Sequence, residues 1–251
     1  MTNKPETVKQ EDLYNKNGLY YKQYTETPFT GTSEQFHTNG QLELRRNYKN
    51  GKPDGLQEGF YENGELKFRR NYKNGKLDGL CEWFDENGQL RSRRNYKKGE
   101  LDGLFEGFYE NGQLAYRENW KEGEPDGLEE LFHKNGQLKE TGNYKNGERD
   151  GLWEVFYENG QLMRKGNWKD EKMDGLFESF HKNGQQESRG NFKDGKELGF
   201  WEWFNENGQL EKSGHVKNNK KDGLWEYFDE DGNLTKIEEY KDGEYKERWT
   251  V

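Results

Sequence analysis

A glutamate recurs every 24 residues, at Glu34, Glu58, Glu82, Glu106, Glu130, Glu154, Glu178, Glu202 and Glu226. Carboxylates at fixed spacing suit either acid–base catalysis or an acidic stripe that grips a basic partner. Acid–base work needs two carboxylates in different surroundings, so that one stays protonated while the other ionises. These nine repeat in one environment, seven of them between a Leu and a Phe, which argues instead for internal partners that offset the cost of half-burying a charge. The recurring Lys49, Lys73 and Lys97, and Arg46, Arg70 and Arg94 placed diagonally on the same face, are the expected partners. His37, His133 and His181 share one repeat position. His133 and His181 lie two repeats apart, about 19 Å, too far to share a metal. His215 reads as drift within its repeat, and Cys81, the only cysteine, stands where other repeats place Trp or Phe and reads as packing. One cysteine allows no internal disulfide and no Cys-rich metal site. There is no nucleophile elbow with a Ser/His/Asp set and no phosphate-binding loop. The expectation is a chain that is not an enzyme, with no catalytic residue, cofactor or metal.

The elements that position these residues are nine repeats without insertion or deletion, beginning at Thr30, Asp54, Asp78, Asp102, Asp126, Asp150, Asp174, Leu198 and Asp222. In the second, the alternating run from Gly55 to Tyr61 ends at Glu62-Asn63-Gly64, and the chain returns from Glu65 to Tyr72. That is a β-hairpin, and a second reversal at Lys73-Asn74-Gly75-Lys76 leads into the next repeat. A three-residue Glu-Asn-Gly loop sets Phe60 opposite Leu66 and turns Leu56, Glu58, Phe60, Leu66 and Tyr72 toward one core side. A two-residue Asn-Gly loop instead sets Glu58 opposite Arg69 and separates Phe60 from Leu66. The first is preferred because it gathers the repeated apolar positions. The fold class predicted is all-β: an open, elongated, single-layer antiparallel β-meander of nine 24-residue hairpins, twisted as a rod and not closed into a barrel. Residues 1–29 are expected to form an N-terminal segment and degenerate capping hairpin, 30–245 the repeats, and 246–251 a capping strand.

Composition agrees with a thin core. Only 28% of the 251 residues are hydrophobic and 35% are charged, yet 15 Phe, 15 Tyr and 8 Trp keep fixed register. A solvated tail has no reason to keep it. The net charge of -9 disfavours nucleic acid and anionic membrane surfaces as partners. With no apolar leader and no stretch long enough to span a bilayer, a cytoplasmic location is expected.

The motif Asp-Gly-Leu-Trp-Glu-x-Phe-x-Glu-Asn-Gly-Gln-Leu followed by Gly-Asn-Tyr-Lys-Asn-Gly resembles the bacterial variant of the MORN repeat. The likeness covers residues 30–245, and 17–22 with 27–31 are similar to the usual start of such arrays. Proteins of this kind are commonly labelled YwqK-type antitoxins, so the resemblance implies a non-catalytic, partner-binding role.

Repeat-to-repeat variation is where a rigid array encodes a partner. On the face opposite the repeated Phe and Leu, the sequence places Trp83, Phe105, Trp153, Phe177, Trp201, Trp203, Trp225 and Tyr227, the candidate partner-binding residues. A covering role for these rings, as a second apolar layer, is the competing reading. Arg45, Arg69 and Arg93 form a candidate basic patch, whereas repeats five to eight carry Gly142, Gly166, Gly190 and Gly214 in place of the second Arg. The expected partner is a protein, with an antitoxin or immunity-type factor as the first reading. A glycan-binding aromatic array and a self-associating scaffold are the alternatives.

Overall fold

The structure, a computed structural model, describes residues 6–250. The first five residues of the expected N-terminal segment and Val251 of the expected capping strand lie outside the described residues. The chain divides into two compact units, residues 1–124 and 125–251. In the first, the strands Gly31–Phe36, Leu42–Lys49, Lys52–Phe60, Leu66–Lys73, Gly79–Phe84, Leu90–Lys97, Glu100–Phe108 and Leu114–Lys121 pair antiparallel in chain order. The short strand Thr7–Lys9 adds a parallel edge to Gly31–Phe36. In the second unit the same meander runs from Glu124–Phe132 to Glu244–Thr250. First and last strands do not pair in either unit, so neither sheet closes. The fold is all-β and open, as the repeat predicts.

Two turn chemistries build each repeat. At Asn74-Gly75 both residues have positive φ, 51° and 84°, the geometry that matches strand twist in a two-residue hairpin. The Asp54 carboxylate accepts from the Asn74 backbone N–H at 3.0 Å, which explains the Asp that opens most repeats. At the other end the Tyr61 N–H donates to the Glu65 carbonyl at 2.9 Å and Gly64 takes φ 86°, giving the expected three-residue loop.

The register departs from both readings of that loop. Phe60 lies opposite Leu66, yet Glu58 lies opposite Arg69. A bulge reconciles them: between Leu66 and Phe68 one extra residue, Lys67, stands on the returning strand, and one extra residue reverses which side chains share a face. Tyr72 therefore pairs with Gly55 and joins Gln57 on the inner face, not Leu56 and Phe60 as expected. A second bulge follows. Arg46 pairs with Gln57 and Tyr48 with Pro53, leaving Asp54, Gly55 and Leu56 to span the space of Asn47 alone. The strand bends there. Asn47 Nδ2 donates to the Leu56 carbonyl at 2.6 Å, and Asn71 and Asn95 repeat the bond to Leu80 and Leu104.

These bulges put the core on the inner side. Tyr48, Cys81, Trp153, Trp201, Val216 and Trp225 are buried, whereas Leu80, Leu128, Leu152, Leu176, Phe200 and Leu224 are exposed. The expectation that the repeated Leu points into the core is thus reversed. Bulky rings on that side shield one another, as Trp201 does with Phe177 and Trp203. Residues before the first repeat contribute to the same side: Val8, Leu13 and Phe29 pack on Tyr48.

Candidate protein-interaction faces

The outer face carries the carboxylate row with its partners. Glu82 pairs with Arg69, and Glu106 with both Arg93 and Arg117, while Arg45 bridges Glu34 at 3.0 Å and Glu58 at 3.4 Å. The expected internal pairing is present, but through the first Arg of each pair and not the second. Arg45, Arg69 and Arg93 are consequently spent on glutamates, and the candidate basic patch is an ion ladder. In residues 125–251 Lys165–Glu178 and Arg189–Glu202 continue the arrangement.

Arg70 and Arg94 turn to the inner face. The Arg70 guanidinium lies 4.0 Å from the Phe68 ring centroid and 5.4 Å from that of Trp83, and Arg94 lies 4.9 Å from Trp83 and 4.4 Å from Phe105. Guanidinium and ring alternate from repeat to repeat.

The eight aromatic candidates sit on the inner face of their own unit, Trp83 and Phe105 in the first and the other six in the second. Trp153, Trp201 and Trp225 are 3%, 2% and 2% exposed, so burial removes them as partner anchors. Trp83, Phe105, Phe177, Trp203 and Tyr227 are half-buried. Phe177 packs on Trp201, Trp201 stacks on Trp203 at 5.7 Å, and Trp203 lies 5.1 Å from Trp225. The glycines make room for these rings. A Cβ on Gly142, Gly190 or Gly214 would run into the indole of Trp153, Trp201 or Trp225. Trp at one position thus requires Gly at its cross-strand neighbour. That pairing is written in the sequence but becomes legible only once the register is known.

The last aromatic cluster holds charge. Lys221 Nζ donates to the Tyr227 hydroxyl at 2.6 Å and lies 4.3 Å from the Trp225 centroid, and burial holds its pKa below the ordinary lysine value. Burial, then the hydrogen bond to Glu238, pushes the Tyr227 hydroxyl up. Burial also pushes the Cys81 thiol up, although Arg70 and Arg94 nearby pull the other way.

Histidine at the position before the loop has a structural role that sequence reasoning missed. His37, His133 and His181 donate through Nε2 to the carbonyls of Phe60, Phe156 and Phe204, each 23 residues on. Tyr61 and Tyr157 place a hydroxyl in the same bond. The shared signal was the alternation of His and Tyr at one position, both able to donate at that reach. Among the described residues no three His, Cys, Asp or Glu side chains converge to hold a metal ion, and no helix is long and apolar enough to cross a membrane.

What remains outward is a row of apolar side chains. Leu128, Leu152, Leu176, Phe200 and Leu224 are 40%, 45%, 48%, 48% and 54% exposed, one per repeat in residues 125–251. Two strands per repeat set them about 10 Å apart.

A hairpin repeated nine times, and clipped to its neighbour in several repeats by bonds of constant sequence offset, defines a β-repeat scaffold. The chain belongs to the MORN repeat variant family, which matches residues 29–50, 53–74, 77–98, 101–122, 125–146, 149–170, 173–194, 199–218 and 221–242. No curated protein matches it. Among solved structures, a mutant of S. aureus TarM in complex with Fondaparinux, alpha-GlcNAc-glycerol and UDP aligns at 13% identity and a TM-score of 0.26, over 38% of this chain and 19% of that one. A TcdB2-TccC3 structure aligns at 9% identity and a TM-score of 0.16, over 85% of this chain and 14% of that one. The chain thus spans less than a fifth of either, and similarity at that level carries no functional weight.

Proposed function

We propose that this protein is a non-catalytic repeat scaffold that binds a partner protein through its outer apolar row. The supporting observation is the in-phase exposure of Leu128, Leu152, Leu176, Phe200 and Leu224. A chain with so few apolar residues gains nothing in stability by leaving five large ones in water, and aligned apolar surface is what association sites offer. The position is filled by Leu or Phe in each of these repeats, so a partner meets a regular row beside the ion ladder, with specificity supplied by the flanking side chains. The finer form of the proposal is an antitoxin or immunity-type factor that occludes its partner along this row, which the family resemblance supports.

Affinity capture from the native host, with the wild type beside a Leu152→Glu/Leu176→Glu double variant, tests this reading. One dominant protein retained by the wild type and lost by the double variant is the expected outcome, with thermal midpoints close together because both sites are exposed. Equal retention by both chains would overturn it.

A further inference from the structure

The row of rings on the inner face of residues 125–251 has one gap. Trp153 occupies the space beside Gly142, Trp201 that beside Gly190 and Trp225 that beside Gly214. Beside Gly166 the ring is Phe177, whose nearest atom stays 3.4 Å from where a Cβ would sit, and the flexible tip of Met173 leans in at 2.7 Å. Phenylalanine lacks the second ring that fills the other slots. A cavity of about 340 Å³ remains, with Trp153, Trp168, Met173 and Phe177 among its walls. Its charged groups are Glu140, Arg149, Arg164 and Lys165, the last paired with Glu178 at 2.9 Å. Arg149 pairs with Glu140 at 3.3 Å and stacks 4.0 Å from the Trp153 centroid. Arg164 is exposed and forms no ion pair among the described residues. Trp153, 3% exposed, has an indole N–H with no acceptor.

We propose that this cavity binds a small molecule consisting of a flat aromatic ring with one acidic substituent. Apolar aromatic walls with a few converging polar groups, at a volume of roughly 300–1,000 Å³, are the usual make-up of a small-ligand site. The missing ring sets the shape: a planar group of indole size fits between Trp153 and Phe177 as the other indoles fit their slots. Charge sets the substituent. With Lys165 neutralised by Glu178 and Arg149 by Glu140, one positive charge is left, which a carboxylate or sulfonate neutralises through Arg164. The methionine side chain, unbranched and rotatable, swings aside to admit the ring. This site is independent of the outer apolar row.

Isothermal titration calorimetry on the full chain tests the proposal with indole-3-acetate as probe and tryptamine, the same ring with an ammonium group, as its counterpart. Indole-3-acetate is expected to bind saturably and tryptamine at least about ten-fold more weakly. Phe177→Trp supplies the absent ring from within, so it should abolish binding while the thermal midpoint holds or rises. Arg164→Gln, at an exposed site that leaves the fold intact, should weaken the acid by about ten-fold. The Leu152→Glu/Leu176→Glu variant should bind the probe as the wild type does. No saturation below about 10 mM, equal affinity for the two probes, or undiminished binding by Phe177→Trp would each overturn the proposal.

Discussion

Glu106 is a charge held 1% exposed between two arginines. Burial alone would raise its pKa, but the hydrogen bonds from Arg93 and Arg117 outweigh it and hold the carboxyl below the ordinary range. Glu106→Gln keeps the shape and removes the charge facing both guanidinium groups. It should cost about 1–3 kcal/mol in chemical denaturation, the scale of hydrogen bonds to charged groups, and more than the same change at the exposed Glu226. Glu238 has the clearest pH signature. Lys236 at 2.9 Å and Tyr240 at 2.9 Å hold its carboxyl at about 2, against opposing burial. A depressed pKa contributes stability that is complete above the unfolded value of 4.5 and is lost as pH falls toward 2. Thermal melts between pH 5 and 2 should therefore show a declining midpoint that flattens in Glu238→Gln. An unchanged slope would place the acid sensitivity elsewhere.

At the scale of the element, the pairing of glycine with indole decides which small changes matter. A methyl group on Gly142 or Gly190 meets the rigid ring of Trp153 or Trp201, whereas on Gly166 it meets the movable end of Met173. Gly142→Ala and Gly190→Ala should each destabilise by about 1–3 kcal/mol, the range for overpacking, and Gly166→Ala by clearly less. Urea midpoints rank the three directly. The bulge clip gives a second measure. Asn71 Nδ2 bonds the Leu80 carbonyl at 2.8 Å, so Asn71→Ala should cost about 1 kcal/mol by losing that bond. The turn at Gly160, with φ 83°, excludes a β-branched residue: Gly160→Val should cost about 1–2 kcal/mol while Met163→Lys stays within about 0.5 kcal/mol.

For the molecule as a whole, stability is built from neighbour to neighbour, because the ladder joins each strand only to those beside it. Phe29, 5% exposed, packs with Val8, Leu13 and Tyr48 at the start of the array. Phe29→Ala should remove about 3–5 kcal/mol of local packing. Hydrogen exchange should then quicken in residues 7–49 and stay unchanged in 199–250. Uniform loss of protection would show a single cooperative unit instead. Charge is also uneven: Lys and Arg number 20 in residues 1–124 and 20 in 125–251, whereas Asp and Glu number 21 and 28. The outer apolar row of 125–251 thus lies in the more acidic unit, so the proposed function predicts a partner with basic residues flanking an apolar strip.

The amino-acid sequence by itself determined the period, the two turn types, the open all-β meander and the internal pairing of the repeated glutamate. Each of these is local: glycine and asparagine dictate positive φ, and an unpaired half-buried carboxylate is costly wherever the strand lies. Which side of the sheet is the core was decided only in the tertiary structure. Side chains alternate with a period of two, so the single extra residue at Lys67 reverses every partner beyond it, moving Tyr72 inward with the tryptophans. On that side the inner rings cover one another, and the repeated leucine on the other side is left in solvent. The bulge at Lys67 has no residue signature, and the glycine at positive φ in the second marks an irregularity without telling which residues oppose it, because a bulge is a relation between two strands and exists only once they are in register.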